Sequence, residues 1–421
     1  MTLLGCIADD FTGGTDVAAA LRRSGLSVLL LFGVPEPGEE IPSSDAVVIA
    51  LKSRTIPADD AVTESLHALA WLRLHGSERV YFKYCSTFDS TDEGNIGPVT
   101  EALLEVTQAQ ATLVCPASPE HGRTTYRGHL FVGDQLLSES SMSTHPLTPM
   151  TDSNLVAVMG RQSTSPVGLL SLDAIRTGHD AIAARIRDLE ATGVVHVVVD
   201  AIEAQDLLSV AEVAEAFPLL TGGAGLAGAL GAVLAAANPS STDAETSLDV
   251  TLPAGPGLVL AGSCSRATLA QVEAAAATFA SYRLDPVATP DPARMLDQAR
   301  SWLRENWGNG PLLMYSSASP LEQEAARLAM GADTSAVLEQ ALGELAREAA
   351  DLGVARLVVA GGETSGAVVQ ALGYRSVVVL GEEDRGVPWC APTGMPGTAV
   401  LLKSGNFGTE DLLVRAMRGA S

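Results

Sequence analysis

Short, almost wholly apolar runs recur along this chain, each separated from the next by a stretch with helical spacing. That alternation restricts it to one class of fold. The runs at 3–8, 26–32, 46–51, 79–82, 112–115, 167–171 and 194–200 are too short for buried helices and too continuous for one-sided strands. Runs of this kind are the mark of parallel strands covered on both faces, and the helical segments between them supply the crossovers. Between 238 and 256 the composition turns to Asn-Pro-Ser-Ser-Thr-Asp-Ala-Glu-Thr-Ser and then to Pro and Gly, which predicts a linker. Alternation restarts at 257–261, 312–315, 355–360, 376–380 and 398–402. The expected architecture is α/β. It has two domains, 1–237 and 257–421, each an open, mostly parallel sheet flanked by helices, with the active site in the cleft between them.

Charge narrows the range of partners. The formal net charge is −24 over 421 residues, a field that repels nucleic acid and anionic lipid. Small anions remain possible, because one cationic pocket overrides a field screened beyond ~10 Å. The five cysteines are far apart and have no metal-clip spacing, and the first residues lack the pattern of a signal peptide. With no apolar stretch long enough to span a bilayer, a cytoplasmic protein is the expectation, and a homo-oligomer is compatible with it.

Lysine placement is more telling than lysine count. The chain has only Lys52, Lys83 and Lys403, and each follows an apolar run beside Ser or Tyr, at the predicted carboxyl end of a strand. In open α/β sheets that edge binds ligands. Asp9 and Asp10 occupy the same edge after the first strand, followed by Phe-Thr-Gly-Gly. Adjacent carboxylates repel, so the pair needs a cation, a donor or solvent. A metal or a substrate hydroxyl would serve, and so would a helix N-cap ahead of 17–24, with Asp16 a candidate cap. Arg123 in Gly-Arg-Thr-Thr and Arg54 in Lys-Ser-Arg-Thr offer planar forks for a carboxylate or phosphate. His145 is a candidate acid/base group or a structural histidine.

The second domain has three Gly-rich turns after strands: 262–265, 361–366 and 404–408, the last beside Lys403. Glycine lets backbone N–H groups approach phosphate oxygens, and a helix N-terminus favours their charge, so three such turns point to a nucleotide site. No G-x-x-x-x-G-K-[ST] exists, which excludes a P-loop. The string Gly223-Ala224-Gly225-Leu226-Ala227-Gly228 matches G-x-G-x-x-G, but the acidic strand end required downstream falls in the expected linker, so NAD binding is rejected.

In order along the chain, Asp-Asp-Phe-Thr-Gly-Gly, Leu-Lys-Ser-Arg-Thr, Gly-Arg-Thr-Thr, Gly-Gly-Ala-Gly-Leu-Ala, Gly-Ser-Cys-Ser, Gly-Gly-Glu-Thr-Ser-Gly and Ser-Gly-Asn-Phe-Gly resemble the four-carbon acid sugar kinase family. Residues 81–91 and 145–154 look most like its 3-oxo-tetronate 4-kinase branch. The resemblance implies an N-terminal substrate domain, a C-terminal ATP domain, and phosphorylation of a four-carbon sugar acid at its terminal hydroxyl, with Mg²⁺ accompanying ATP. By position, Ser263, Ser265, Gly361, Gly362, Glu363, Thr364 and Gly405 would contact ATP. The combined expectation has Lys52, Arg54, Arg123 and Lys83 holding the acid, Asp9 or Asp10 serving the attacking hydroxyl or a metal, and Lys403 neutralising phosphate. A threonate or erythronate kinase, and a non-catalytic nucleotide sensor, are the alternatives.

Overall fold

A computed structural model of the chain describes residues 2–36, 38–39, 41–145, 147–238 and 251–420. The chain separates into two compact units, 1–246 and 247–421. Most of the expected linker, 239–250, lies outside the described residues.

In the N-terminal unit the strands are β1 (Leu4–Ala8), β2 (Val28–Phe32), β3 (Ala46–Ala50), β4 (Val80–Lys83) and β5 (Thr112–Cys115). A small antiparallel insertion follows, β6 (Arg123–Tyr126), β7 (His129–Val132) and β8 (Gln135–Leu136). Then come β9 (Val167–Leu170), β10 (His196–Val199) and β11 (Leu219–Gly222). The sheet runs β2-β3-β1-β4-β11-β5-β10-β9, every pair parallel. The chain leaves β1 toward β2 but leaves β3 toward β4 on the other side. Right-handed crossovers in opposite directions place their helices on opposite faces. β1 and β4 therefore flank a topological switch point.

The strand core is mainly aliphatic, with Tyr81 and Phe82 of β4 buried in it and the edge strand β9 half-buried, and small residues close the helix layers. Gly228 and Gly231 of helix Ala224–Ala237 face Ala20 and Ser24, where an added Cβ would lie 3.3 Å from Ala20 Cβ and 2.4 Å from Ser24 Oγ. Close approach of small residues substitutes for the bulk of aromatics, which make up only 4% of the chain. The dinucleotide-like glycines have the same use. A Cβ at Gly223 or Gly225 would sit 2.6 Å from Pro116 O or 2.5 Å from Ala117 O, so the motif is a packing device.

The C-terminal unit has β12 (Gly257–Ala261), β13 (Ala280–Arg283), β14 (Leu312–Tyr315), β15 (Arg356–Ala360), β16 (Ser376–Asp384), β17 (Val387–Pro392) and β18 (Ala399–Lys403), in the order β13-β14-β12-β15-β18-β17-β16. All pairs are parallel except those made by β17. A second switch point lies between β12 and β15. Trp389 anchors a core of Val259, Leu313, Val358 and Leu401. Among the described residues no helix is long and apolar enough to cross a membrane.

Candidate active site

The switch point of the N-terminal unit gathers the charged residues. Ala8, at the end of β1, is in register with Ala50 on one side and Lys83 on the other. The chain then turns into helix Phe11–Arg23, capped by Asp10, whose Oδ1 accepts from Gly13 N at 2.8 Å and whose Oδ2 accepts from the Thr12 hydroxyl at 2.7 Å. The helix thus begins six residues before the expected 17. Asp16 is not a cap but a buried residue inside the helix, 3.7 Å from Lys83 Nζ.

Asp9, 3% exposed, is gripped by Arg54, whose Nε and Nη2 donate to its two oxygens at 2.9 and 2.7 Å. Arg54 Nη2 also donates to Asp10 Oδ1 at 2.5 Å, and Nη1 lies 3.5 Å from Asp89 Oδ2. The loop carrying Arg54 is fixed from both sides. Ser53 and Arg54 N–H groups donate to Asp9 O, and Asn95 Nδ2 donates to Ser53 O at 2.7 Å. Lys83, 2% exposed, donates to Tyr84 O at 2.9 Å. A Cβ on Gly13 would lie 3.1 Å from Lys83 Nζ and 3.4 Å from Arg54 Nη2, so both cations converge on the first helical turn.

Burial and charge divide the two aspartates. Desolvation dominates at Asp9 and pushes its carboxyl up despite Arg54. At Asp10 desolvation is outweighed by Arg54 and Lys83, helped by Thr12 and Gly13, so its carboxyl is held below the usual range and stays ionised. Arg54 is disfavoured by burial, but Asp10 and Asp9 more than restore its charge.

Arg123 begins β6 and joins this cluster through intermediaries. Its Nη1 donates to His121 O, His121 Nε2 is 4.0 Å from Asp16 Oδ1, and Asp16 faces Lys83. Arg123 Nε is buried with no hydrogen-bond partner among the described residues. His145 acts on Asp89. Its Nδ1 is 3.7 Å from Asp89 Oδ1, and Thr148, whose N–H donates to His145 Nδ1 at 3.2 Å, bonds Asp89 through its hydroxyl. Phe88 and Asp89 hold left-handed backbone, φ 62° and 53°, which aims Asp89 at Arg54. Lys52 does not join the group. It is exposed, with Nζ 5.1 Å above the Phe11 ring, beside an apolar groove lined by Trp71 and Leu74. Sequence reasoning missed Asp89, His121 and Asn95, whose partners lie in loops and a helix distant in sequence. Only the Phe-Asp-Ser-Thr string after β4 hinted at Asp89.

In the C-terminal unit Ala261, Ala360 and Lys403 end three neighbouring strands in register, and the three Gly-rich turns leave from that row. Ser265 caps helix Arg266–Ala276 and donates to Gly405 O at 2.6 Å; Thr268 Oγ1 donates to the same oxygen at 2.8 Å. A Cβ at Gly405 would meet Ser263 Oγ at 2.3 Å, and one at Gly262 would meet Thr364 Oγ1 at 2.2 Å. Gly361, φ 134°, caps helix Gly362–Leu372, with Gly362 and Glu363 exposed in its first turn. Lys403 is 0% exposed. It lies beneath the turn, donating to Thr268 Oγ1 at 3.0 Å and Gly405 O at 3.2 Å, and burial brings its ammonium down to about 7.

A family model described as a sugar-binding N-terminal domain matches residues 4–230, and one described as a nucleotide-binding C-terminal domain matches 258–413. The chain is 49% identical to a 3-oxo-tetronate kinase of Burkholderia multivorans, covering 99% of this chain and 97% of the relative. A 3-oxo-tetronate kinase of Pseudomonas fluorescens is also 49% identical, with 99% and 96% covered. The chain belongs to the four-carbon acid sugar kinase family. Among solved structures, a Salmonella typhimurium LT2 chain provisionally described as a tRNA synthase is 38% identical with a TM-score of 0.89, each chain covered to 99%. A Haemophilus influenzae protein is 38% identical with a TM-score of 0.80, each covered to 98%. The family's two descriptions, sugar-binding and nucleotide-binding, fall on the unit with the aspartate–arginine–lysine cluster and the unit with the glycine turns, respectively.

Proposed function

We propose that the chain transfers the γ-phosphoryl group of ATP to the terminal (4-) hydroxyl of a four-carbon sugar acid, 3-oxo-tetronate. The acid is held by the N-terminal unit and the nucleotide by the C-terminal unit. The observation that carries this reading is the convergence of Asp10, Arg54 and Lys83 on one helical turn, at the switch point of a sheet whose family description is sugar-binding. Phosphoryl transfer proceeds through a loose transition state and asks for positioning and charge neutralisation more than for a strong base. Asp10 orients the attacking hydroxyl and takes its proton as the new O–P bond forms and the bond to the ADP oxygen breaks. Lys83 and the unmet Nε of Arg123 face the acid's carboxylate and hydroxyls. Arg54, already engaged by three carboxylates, keeps Asp9 and Asp10 in place rather than clamping substrate. Lys52 adds positive potential.

On the nucleotide side, backbone N–H groups of Ser263, Ser265, Gly361–Thr364 and Gly405 receive phosphate oxygens, and Lys403 supports them from below. Mg²⁺ bound with ATP would neutralise the β,γ-phosphates. Among the described residues no group of three acidic, His or Cys side chains could cage a metal, which suits an ion carried mainly by phosphate and water. The −24 charge disfavours a tRNA-directed activity.

A coupled ADP-release assay across 3-oxo-tetronate, threonate and erythronate tests the reading. Turnover should be fastest with 3-oxo-tetronate, and Asp10→Asn should lower kcat by about 10²–10⁴-fold while leaving ATP binding intact. Faster turnover of threonate or erythronate would move the assignment to that acid, and no turnover with any would favour a sensor.

A further inference from the structure

Arg54 carries more carboxylate than holding its loop requires. Its Nε and Nη2 bind Asp9 at 2.9 and 2.7 Å, and Nη2 also binds Asp10 at 2.5 Å. Those two carboxylates already exceed the charge of one guanidinium. A third, Asp89, nevertheless stands 3.5 Å from Nη1, the one nitrogen of the fork that donates to neither Asp9 nor Asp10. Asp89 is only 8% exposed, so its charge sits in a poorly solvated place near two like charges, which is unfavourable. The fold holds it there by several means. Phe88 and Asp89 adopt φ of 62° and 53°, a backbone rare for a residue as bulky as phenylalanine. The Thr148 hydroxyl donates to Asp89 Oδ1. The next residue is fastened too, Ser90 N–H donating to Met150 Sδ at 3.2 Å and Gln162 Nε2 to Ser90 Oγ at 2.9 Å. Backbone strain maintained beside a reacting group points to a function for the residue it aims.

From this we infer that Asp89 is an orienting residue: by covering Nη1 of Arg54 it keeps the acid's carboxylate away from Asp10, so the acid enters with its terminal hydroxyl toward the reacting position. The inference rests on the kinase reading above and adds how the site tells the two ends of its substrate apart. A four-carbon sugar acid has a carboxylate at one end and a hydroxyl at the other. The carboxylate is the stronger ligand for a guanidinium, because both partners are charged. Arg54 touches Asp10, so a carboxylate captured at an uncovered Nη1 would put the wrong end of the acid beside the group that takes the hydroxyl's proton. With Asp89 in place, that capture meets an engaged donor and a like charge. A neutral hydroxyl meets no such repulsion, and the carboxylate is left to Lys83 and Arg123. The selection works by opposing the wrong mode rather than by strengthening the right one. Asp89 acts through Arg54 and need not touch the acid.

Steady-state kinetics with 3-oxo-tetronate separate this role from a structural one. Asparagine keeps the shape of aspartate and tolerates left-handed backbone, so Asp89→Asn should fold. Wrong-end binding is unproductive: it lowers kcat and the KM for the acid by the same factor and leaves kcat/KM unchanged. In Asp89→Asn both should fall at least about fivefold, with kcat/KM within about twofold of wild type and the KM for ATP unaltered. Malonate, an anion with no hydroxyl to phosphorylate, should compete with the acid at least about fivefold more tightly in the variant than in wild type. A loss of kcat/KM with unchanged acid KM would put Asp89 in the proton path or the scaffold and overturn the inference. Wild-type kinetics and malonate inhibition in the variant would overturn it as well. Should Asp89→Asn fail to fold, Thr148→Val, which removes the hydroxyl that tethers Asp89, should show the same paired fall, and Thr148→Ser should restore wild-type values. A Thr148→Val loss without that pairing counts against the inference. A wild-type chain inactive on every acid would remove the kinase reading and this inference with it.

Discussion

At the scale of single residues, the two buried lysines differ because of what surrounds them. Lys83 faces Asp16 and sits beside Asp10's turn, whereas Lys403 has only a hydroxyl and a carbonyl for partners. Burial without a counter-charge therefore lowers the Lys403 ammonium to about 7. Its pKa in the folded chain lies below that in the unfolded chain, so unfolding takes up a proton between about pH 7 and the ordinary lysine value. The cost of burying the charge is fully present below pH 7 and is relieved as pH rises through that window. Replacing Lys403 by Met should consequently stabilise the protein most at pH 6.5, and the advantage in Tm over wild type should shrink by pH 9. An advantage independent of pH would mean that Lys403 is solvated. The sequence singled out Lys83 and Lys403 by their place after apolar runs, but the same signal selected Lys52, which stacks on Phe11 instead. Strand ends fix where a side chain starts, not which way it points.

At the scale of elements, several strand-to-helix turns contain positions that have no room for a side chain. Gly361 combines φ 134° with a Cβ position 2.9 Å from Thr364 Oγ1 and 3.1 Å from Ser263 N. Gly361→Ala should cost about 1–3 kcal/mol in chemical denaturation and weaken ADP binding as the turn shifts. Gly394→Ala, at an exposed glycine with nothing within 4 Å, should do neither. Every apolar run read as a strand is in a sheet, but β13, β17, the β6–β8 insertion and β11, in the middle of the N-terminal sheet, were not read. The Leu219–Gly222 run of β11 is four residues long and merges into the glycine-rich start of the next helix. The helix at Phe11 began earlier than its apolar pattern because Asp10 caps it and Gly13 and Gly14 are tolerated there. A Cβ on Gly14 would lie 2.6 Å from Ala50 Cβ, so that first turn packs directly on β3.

At the scale of the whole molecule, the surplus of acidic residues is a destabilising self-repulsion that salt screens. Scanning calorimetry between about 20 and 300 mM NaCl should find Tm rising by a few degrees, and a fall would show that specific surface ion pairs outweigh the net field. The order of apolar runs and turns was enough to establish an α/β protein of two parts, because parallel strands covered on both faces leave a continuous apolar signature that neighbours in sequence reveal. It also singled out Asp9, Asp10, Lys83 and the glycine turns as candidates, since residue type and strand-end position are local properties. Partnership is not local. Arg54, 45 positions from Asp9, reads in the sequence as a free fork for an anion, and only the fold shows that it is paired with three internal carboxylates. Asp16 read as a cap until the helix turned it toward Lys83. Which charges neutralise one another, and so which remain available to a ligand, depends on strand order and register, which no stretch of sequence contains.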